Sequence, residues 1–527
     1  MKRKIIIVFL LASLLVFNPG LVSAEVELNY TGYGGNRTLS GSLHIVEVKE
    51  EKIMLDAGSF FEEEGEKSPA LTKEVIEEIE AVIISHAHTD HIGRLPKIVE
   101  LGYDGPIYTS GPTAELMEIM FEMALNYSSL GEEEFYYSRE SLKQNQEDNQ
   151  STAVHSQADC WWKSFISSEN KKELKLDRSQ LAKEDFYICS SCRKLEAAEI
   201  IEQVKKKPAG KYFSLTDDLE AKFYPTPHIP GSVVTKLKHL EKDTTVVYTG
   251  DFGSGQSPYL AKPKYPKRAQ WAIVEGTYDP QRSLGFEQGQ LVDKLAQYLE
   301  ENKRIVIAAP VLARTQLVLG EISRAKAKGA IPPDTEVKLL GSTAPRINKV
   351  YTEEFSDKQY SQYFSREFKE EGFFLEEDFE VISKLDKLEP KEIIITSPAT
   401  AQAGYSKELV TKYLEDEKTA FIFTTSLSPE VLGGRLYYKS LEGAKELAID
   451  DNDYKLEAEV AKIDEFSSHG TFKQISSFLS ELEGLEGILI VHSREETAFK
   501  LKEEYEAKFP EWEVLLPKIG RRYQLNE

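Results

Sequence analysis

The chain has 527 residues, and its apolar content of 41% is enough for about two to four domains of the usual size. Its net charge of −23 argues against a protein that coats nucleic acid over its whole surface, although a local cationic channel is compatible with that charge. Three cysteines are too few for a disulfide scaffold, and no apolar run of membrane-spanning length follows the N-terminus.

Residues 1–24 have the pattern of an export signal. Basic residues at 2–4 precede an apolar stretch at 5–17, and small residues at 22–24 form a cleavage site. Because the apolar stretch is short for a spanning helix, we expect cleavage before Glu25, no stable membrane span and a secreted or cell-surface protein. An uncleaved N-terminal membrane anchor and a cytoplasmic location are the alternatives.

A histidine-rich motif directly follows a predicted buried strand at residues 81–84. In extended backbone His86 and His88 point to the same side, whereas Asp90 and His91 lie past the strand end and turn towards a second position. Three imidazoles and a carboxylate suit Zn²⁺, with Mn²⁺ and Fe²⁺ as alternatives. The chain has only nine histidines, so this concentration argues against a plain polar loop.

Other predicted strands also end on residues that can bind a metal ion. Asp56, His228, Asp251 and His492 each follow a short apolar run. Strand ends that meet at one rim can assemble a site from distant parts of the sequence. Residues 284–445 alternate between strands and helices, which predicts an α/β region, and the polar segment 128–210 predicts an insertion.

The order of these motifs resembles the metallo-β-lactamase fold, an αββα sandwich, and further motifs resemble the β-CASP branch of that fold. These are Val-Glu-Gly-Thr-Tyr with Glu275, the strand–loop–helix at 305–316, the Ser-Pro loop at 397–404, Phe-Ser-Ser-His with His469, and Val491-His492. The resemblance implies an α/β protein whose sandwich comprises residues 25–283 and 446–527, with a β-CASP domain inserted at 284–445. Thr471 departs from the family pattern, which usually has Asp there.

By this resemblance the chain is expected to be a zinc-dependent ribonuclease with two metal ions and a bridging hydroxide. The implied ligands are His86, His88 and His228 for one ion, Asp90, His91 and His492 for the other, and Asp251 for both. Asp56 would orient a ligand through a hydrogen bond. His469 would donate a proton to the leaving oxygen, with Glu275 beside it to fix its tautomer.

The polar loops around Ser397, Gly404 and Arg435 are expected to contact the phosphate backbone of the substrate. His492 favours RNA over DNA by analogy with RNA-processing members, and single-stranded RNA is the expected partner. A small-molecule hydrolase of the same fold and a non-catalytic RNA-binding homologue are the alternatives. The inserted domain argues against the first and the full ligand set against the second. A homodimer is left open.

The insertion contains a separate candidate metal site. His155 and Cys160 form one pair and Cys189 and Cys192 a second, which suits a closed structural zinc site. In an exported protein Cys189 and Cys192 could instead form a disulfide, or all three cysteines could stay unpaired.

Overall fold

The computed structural model describes residues 27–60, 71–128 and 200–525, apart from gaps at 242–243, 256, 283–288, 357, 367, 369–373, 375 and 385–386. The predicted export signal and the predicted structural metal site of His155, Cys160, Cys189 and Cys192 lie outside the described residues. Within those residues, the structure has no helix that is both long and apolar enough to span a membrane.

Two seven-stranded sheets pack face to face and form a sandwich. The first sheet has the order β22-β1-β2-β3-β4-β5-β6. Its strands are β1 (Leu28–Gly34), β2 (Leu43–Val48), β3 (Glu51–Leu55), β4 (Ile79–Ile83), β5 (Ile107–Thr109), β6 (Val204–Lys206) and β22 (Arg522–Gln524). The second sheet has the order β21-β20-β11-β10-β9-β8-β7. Its strands are β7 (Tyr212–Ser214), β8 (Leu219–Pro225), β9 (Val233–His239), β10 (Thr245–Tyr248), β11 (Trp271–Glu275), β20 (Gly487–Val491) and β21 (Glu513–Leu515).

The central strands of the second sheet are apolar because both of their faces are covered. β10, β11 and β20 are buried at every position, as expected for parallel strands with helices on one face and a second sheet on the other. β11 and β20 pair in parallel, with Glu275 opposite Val491. The residues that follow these two strands therefore lie side by side.

A third sheet forms the inserted α/β domain. Its six strands are all parallel, in the order β14-β13-β15-β12-β16-β19. They are β12 (Arg304–Ala308), β13 (Val337–Leu340), β14 (Glu380–Ile382), β15 (Ile393–Thr396), β16 (Thr419–Phe423) and β19 (Glu459–Lys462). The short hairpin of β17 (Glu446–Ile449) and β18 (Asn452–Lys455) packs beside this sheet.

Helices cover the outer faces of the sandwich and both faces of the third sheet. The sandwich carries α1 (Lys73–Glu77), α2 (Thr89–Ile92), α3 (Leu95–Glu100), α4 (Gly111–Ser128), α10 (Phe472–Ser480) and α11 (Glu495–Lys508). The inserted domain carries α5 (Gln290–Glu300), α6 (Arg314–Ala327), α7 (Thr343–Lys349), α8 (Gly404–Tyr413) and α9 (Leu432–Leu441). The predicted αββα sandwich with an inserted α/β domain is therefore confirmed.

Two sequence-based boundaries differ from the described structure. Strand β6 lies within the segment assigned to the insertion, yet it pairs with β5 and completes the first sheet. Strand β19 lies after residue 445, yet it pairs with β16 in the inserted domain. Both strands are short and partly exposed, so their sequences lack the continuous apolar run by which the central strands were found.

Candidate metal centre

The candidate ligands meet where strands of both sheets end at one rim of the sandwich. β3 leads to Asp56, β4 to residues 85–91, β8 to His228 and β10 to Asp251. His492 follows β20 and has a positive φ of 48°, as has Asp56 with 59°. This left-handed backbone is uncommon for residues other than glycine. It makes the chain turn sharply at the rim after β3 and after β20.

His86, His88 and His228 form a first cluster with Asp251. His86 Nε2 lies 3.0 Å from His88 Nδ1, and His228 Nε2 lies 3.2 Å from the same atom. The Nε2 atoms of His86 and His228 lie 3.5 and 3.3 Å from Oδ2 of Asp251. All four ligand atoms lie within 4.8 Å of one another.

Asp90, His91 and His492 form a second cluster on the other side of Asp251. Their ligand atoms lie within 4.8 Å of one another, and His492 Nε2 lies 3.4 Å from Oδ2 of Asp90. The Nε2 atoms of His91 and His492 lie 3.1 and 3.7 Å from Oδ1 of Asp251. The carboxylate of Asp251 therefore turns one oxygen to each cluster.

The spacing and burial of these atoms fit divalent metal ions. In a tetrahedral site with bonds of about 2.0–2.1 Å, adjacent ligand atoms are about 3.3–3.4 Å apart, close to the spacings in the first cluster. His91 Nε2 and Asp251 Oδ1 are buried and lie 3.1 Å apart, but their geometry is not that of a hydrogen bond and neither has another hydrogen-bond partner among the described residues. Buried polar atoms without partners are costly, and bound cations would satisfy both of these.

The electrostatics of the two clusters differ. Burial lowers the pKa of His86 and His228 well below the usual value and that of His88 to about 4, so the first cluster presents neutral imidazoles. Burial would also lower the pKa of His91, but the carboxylates of Asp251, Asp56 and Asp90 together raise it well above the usual value. A bound dication would displace the His91 proton, because metal ligation requires the neutral ring.

Asp56 lies behind the second cluster and is fully buried. Its Oδ2 lies 2.7 Å from His91 Nδ1, which leaves His91 Nε2 facing Asp251. Ser85 donates to Asp56 through its backbone N–H and its hydroxyl, both at 2.7 Å, and Tyr248 donates its hydroxyl at 2.6 Å. Asp56 therefore orients a candidate ligand and does not reach the open cleft itself.

Glu275 and His469 form a pair beside the metal centre. His469 Nδ1 lies 3.1 Å from Oε2 of Glu275, whose Oε1 accepts a hydrogen bond from the backbone N–H of Phe252. Burial lowers the pKa of His469, but Glu275 and then Asp251 outweigh it and raise the value to about 9. His469 Nδ1 is also 3.8 Å from Asp251 Oδ2, so this ring borders the candidate ligands.

The predicted substrate-binding residues make contacts within the inserted domain. The Ser397 hydroxyl donates to the carbonyl of Ala309 at 2.7 Å, and Gly404 begins α8 with a positive φ of 58°. Arg435 lies on α9, where its guanidinium donates to the carbonyl of Ala448 at 3.3 Å. The described contacts of these three residues therefore serve the inserted domain and do not involve the metal centre.

Sequence reasoning missed two polar residues that organise the site. The hydroxyl of Thr277 contacts Glu275 and lies 3.0 Å from His492 Nδ1 and 3.3 Å from His469 Nδ1. The half-buried side chain of Arg94 donates to three carbonyls of the surrounding loops, those of Tyr33, Gly41 and Gly58. Thr277 stands two residues after Glu275 in a quoted motif, which is the only signal that could have identified it.

Comparisons with known families agree with this fold. Residues 37–287 match the model of the metallo-beta-lactamase superfamily, and residues 315–436 match that of the Beta-Casp domain. Residues 453–517 match a model described as a Zn-dependent metallo-hydrolase RNA specificity domain. The chain therefore belongs to the metallo-β-lactamase superfamily and is a metallo-hydrolase of its β-CASP branch.

Similar proteins extend along most of the chain. Ribonuclease TTHA0252 of Thermus thermophilus is 23% identical over 476 residues, which are 89% of this chain and 94% of that protein. Transcription termination factor FttA of Methanothermobacter thermautotrophicus is also 23% identical, over 88% of this chain but only 66% of its own length. A crystal structure of a protein of unknown function from Enterococcus faecalis has a TM-score of 0.51 at 13% identity, covering 94% of this chain and all of that one, which shows the fold alone.

Proposed function

We propose that this protein is a ribonuclease that hydrolyses RNA phosphodiester bonds with two divalent metal ions. Zinc is the proposed metal, and manganese and iron are the alternatives. The observation that carries the proposal is the carboxylate of Asp251, which turns one oxygen to each of two clusters of metal-binding side chains. Two bound ions would neutralise charge on a phosphodiester and lower the pKa of a water molecule.

The protein groups around the centre have separable roles. Asp56 holds His91 in the orientation in which Nε2 faces Asp251, as partners of metal ligands commonly do. Glu275 and Thr277 hold Nδ1 of His469, so Nε2 on the opposite edge of the ring is the atom that can give a proton to the leaving oxygen. His469 therefore acts as the proton donor in this proposal.

RNA is the proposed substrate for two reasons. One similar protein is named a ribonuclease, and the RNA specificity model matches residues 453–517. That stretch contains His469 and His492, so the matched segment contributes side chains to the centre. A single strand is proposed, because an unpaired backbone can follow a cleft that a duplex would not enter.

The test is incubation of the purified protein with end-labelled RNA and with DNA of the same sequence, each with and without a chelator. We expect cleavage of single-stranded RNA, loss of cleavage in chelator and recovery on adding zinc. Fragment lengths distinguish cutting within the strand from cutting at its ends. Equal or better cleavage of single-stranded DNA would contradict the RNA assignment, and unchanged cleavage in chelator would contradict the metal assignment.

Three further proposals rest on the sequence alone. We propose that the protein is exported, with cleavage after residue 24, which N-terminal sequencing of the mature protein tests. We propose a structural zinc ion at His155, Cys160, Cys189 and Cys192; three metals per chain, falling to two in Cys189→Ser with hydrolysis retained, would support it. The third proposal is that the protein forms a homodimer. Light scattering tests it by measuring the molar mass of the purified protein in solution.

A further inference from the structure

Two buried carboxylates beside the metal centre have the same kind of surroundings. Asp56 follows β3 in the first sheet, and Glu275 ends β11 in the second. The exposed fraction is 0% for Asp56 and 1% for Glu275, and neither belongs to the two clusters of candidate ligands. Because the local dielectric constant is low, a buried carboxylate interacts strongly with the hydrogen-bond donors around it.

Asp56 orients one histidine directly and a second one through a hydroxyl. Its Oδ1 accepts from the backbone N–H of Ser85, and its Oδ2 lies 2.7 Å from His91 Nδ1. The Ser85 hydroxyl donates to the same Oδ2 at 2.7 Å, and its oxygen lies 3.0 Å from His86 Nδ1. A hydroxyl has one proton and two lone pairs, so Ser85 accepts from His86 while it donates to Asp56. His86 Nδ1 therefore carries the proton, and Nε2 is left to face the first cluster.

Glu275 has the same arrangement in the second sheet. Its Oε1 accepts from the backbone N–H of Phe252, and its Oε2 lies 3.1 Å from His469 Nδ1. The Thr277 hydroxyl donates to that Oε2, and its oxygen lies 3.0 Å from His492 Nδ1. By the same count of protons, His492 Nδ1 donates to Thr277 and leaves Nε2 to face the second cluster.

The two arrangements connect different parts of the metal centre. Through Asp56 and Ser85, one candidate ligand of each cluster is held, His86 in the first and His91 in the second. Through Glu275 and its hydroxyl partner, a ligand of the second cluster is joined to the proposed proton donor. In each arrangement the hydroxyl is the group that adds the second histidine.

We propose that Ser85 and Thr277 are positioning residues that set the affinities of the two metal positions separately. Ser85 does so by holding His86 for the first position, and Thr277 by holding His492 for the second. The inference rests on the two-metal centre of the proposed ribonuclease. Each hydroxyl links a buried carboxylate to the more distant ring, which keeps the proton on Nδ1 and makes Nε2 the ligand atom. Without the hydroxyl the proton can occupy Nε2, and metal binding must then displace it.

The test at the second position compares Thr277→Val with Thr277→Ser. Valine has the shape of threonine without the hydroxyl, whereas serine keeps the hydroxyl. We expect Thr277→Val to bind one zinc ion about 10–100-fold less tightly, as is typical when the partner of a metal ligand is lost. Thr277→Ser should bind zinc as the wild type does. Titration with zinc against a chromophoric chelator measures these affinities.

Thr419→Val is the matched control for the valine substitution. Thr419 begins β16 in the inserted domain, and its buried hydroxyl has no hydrogen-bond partner in the part of the chain that the structure describes. The same change of side chain there should leave both zinc affinities unaltered.

Ser85→Ala tests the first position. It removes the hydroxyl but keeps the backbone N–H that donates to Asp56. At a free zinc concentration that just fills the wild type, Ser85→Ala and Thr277→Val should each bind about one zinc ion fewer, and the double variant about two fewer. The losses should add, because the two hydroxyls hold ligands of different clusters.

NMR of the zinc-loaded proteins with isotope-labelled histidine gives a readout that does not depend on activity. In the wild type the Nδ1–H of His492 should give a low-field signal that exchanges slowly with water, identified by its absence in His492→Gln. In Thr277→Val this signal should broaden or vanish, whereas that of His91, which Asp56 holds directly, should remain. Loss of both signals would indicate general damage to the centre and count against the inference.

Turnover separates a positioning role from a catalytic one. Glu275 still holds His469 in Thr277→Val. At saturating zinc, turnover on RNA should therefore fall by less than about tenfold, short of the loss of about 10²–10⁴-fold expected when a proton donor is removed. At limiting zinc Thr277→Val should lose most of its activity, whereas Thr277→Ser should not. A loss at saturating zinc as large as that of His469→Ala would contradict the positioning role.

The outcomes separate this inference from the proposed function. Zinc affinities in Thr277→Val and Ser85→Ala equal to those of the wild type would overturn the inference, whether or not the protein cleaves RNA. Weak zinc binding by Thr277→Ser would also overturn it, because the hydroxyl would then not be the group that matters. A double variant that loses no more zinc than either single variant would refute separate control of the two positions. Absence of RNA cleavage by a wild type that binds zinc as expected would overturn the proposed function alone.

Discussion

At the scale of single residues, Asp251 connects the two halves of the candidate centre. We predict that Asp251→Asn reduces hydrolysis by more than about 100-fold and lowers the bound metal, because an amide presents only one oxygen and no charge. Loss of a residue that only hydrogen-bonds to a metal ligand typically lowers metal affinity or activity by about 10–100-fold. Metal analysis and a rate measurement on the purified variant provide the check.

Asp279→Asn is the matched control for this experiment. Asp279 is a partly exposed carboxylate paired with Lys500 at 3.1 Å, and the same substitution there should change neither rate nor metal content. Near-normal rate and metal content in a folded Asp251→Asn protein would refute the bridging role.

His469 offers a second test at the same scale. We predict that His469→Ala lowers turnover by about 10²–10⁴-fold, as expected for a group that transfers a proton in the rate-determining step. The metal content should stay unchanged, because Nδ1 of His469 is held by Glu275. Loss of metal in this variant would show instead that His469 is a ligand, which its distance of 3.8 Å from Asp251 makes a real alternative.

Individual site residues could be predicted where several of them stand close together in one sequence motif. The histidines at 86–91 stand so close in sequence that their chemistry is visible without a structure. Thr277 and Arg94 are single polar residues, and their partners come from chain segments that only the fold brings near. The contact of Arg435 with Ala448 was not foreseen for the same reason, since the hairpin β17–β18 lies between the quoted motifs and only the fold brings it to α9.

At the scale of elements, helix α10 explains a departure from the family pattern. Thr471 is its N-cap and forms a capping box with Gln474, whose side chain accepts from the Thr471 N–H at 3.0 Å. Aspartate is an equally good N-cap residue, so threonine can replace it here without loss of the helix start. The departure therefore concerns helix stability and leaves the position of His469, two residues earlier, intact.

If Thr471 acts as a helix cap, its substitutions should change the free energy of unfolding according to whether the new side chain can cap. Thr471→Val should lower the free energy of unfolding by about 1 kcal/mol, because the side-chain acceptor of the cap is lost, whereas Thr471→Asp should preserve it. Chemical denaturation of the metal-free proteins measures the difference. Equal destabilisation by both substitutions would mean that steric fit, rather than capping, determines the residue at this position.

The central strands of the sheets could be predicted from the sequence, whereas the edge strands could not. β11, β15 and β20 are short, mainly apolar strands that are buried at every position, and this is visible in their sequences. Edge strands such as β6 and β19 owe their conformation to pairing with a neighbour rather than to their own composition. This is why the predicted end of the polar insertion, residue 210, lies after β6, and the predicted end of the inserted domain, residue 445, lies before β19.

At the scale of the whole molecule, the candidate ligands come from residues 86 to 492 and from both sheets of the sandwich. A metal that binds this assembled set binds the folded chain and not the unfolded one, so it must stabilise the fold. At a free concentration 100 times Kd the gain is about 2.7 kcal/mol. We predict that zinc raises the midpoint of thermal unfolding of the metal-free protein, increasingly with concentration.

In Asp251→Asn the midpoint of thermal unfolding should depend less on zinc concentration, because the variant lacks the shared ligand. In Asp279→Asn the midpoint should rise with zinc as in the wild type. A midpoint that does not respond to zinc in the wild type would mean that no preformed centre exists in the folded chain. Scanning calorimetry at several zinc concentrations measures the response.

The pairing of β11 with β20 also sets the order in which activity can arise during synthesis. The two strands are about 200 residues apart in the chain, and ribosomes add about 5–20 residues per second. For roughly 10–40 s a nascent chain therefore carries His86, His88, His228 and Asp251 but lacks His469 and His492. The unfinished chain therefore lacks the proposed proton donor and one candidate ligand, and the centre can be completed only after residue 492 has been added.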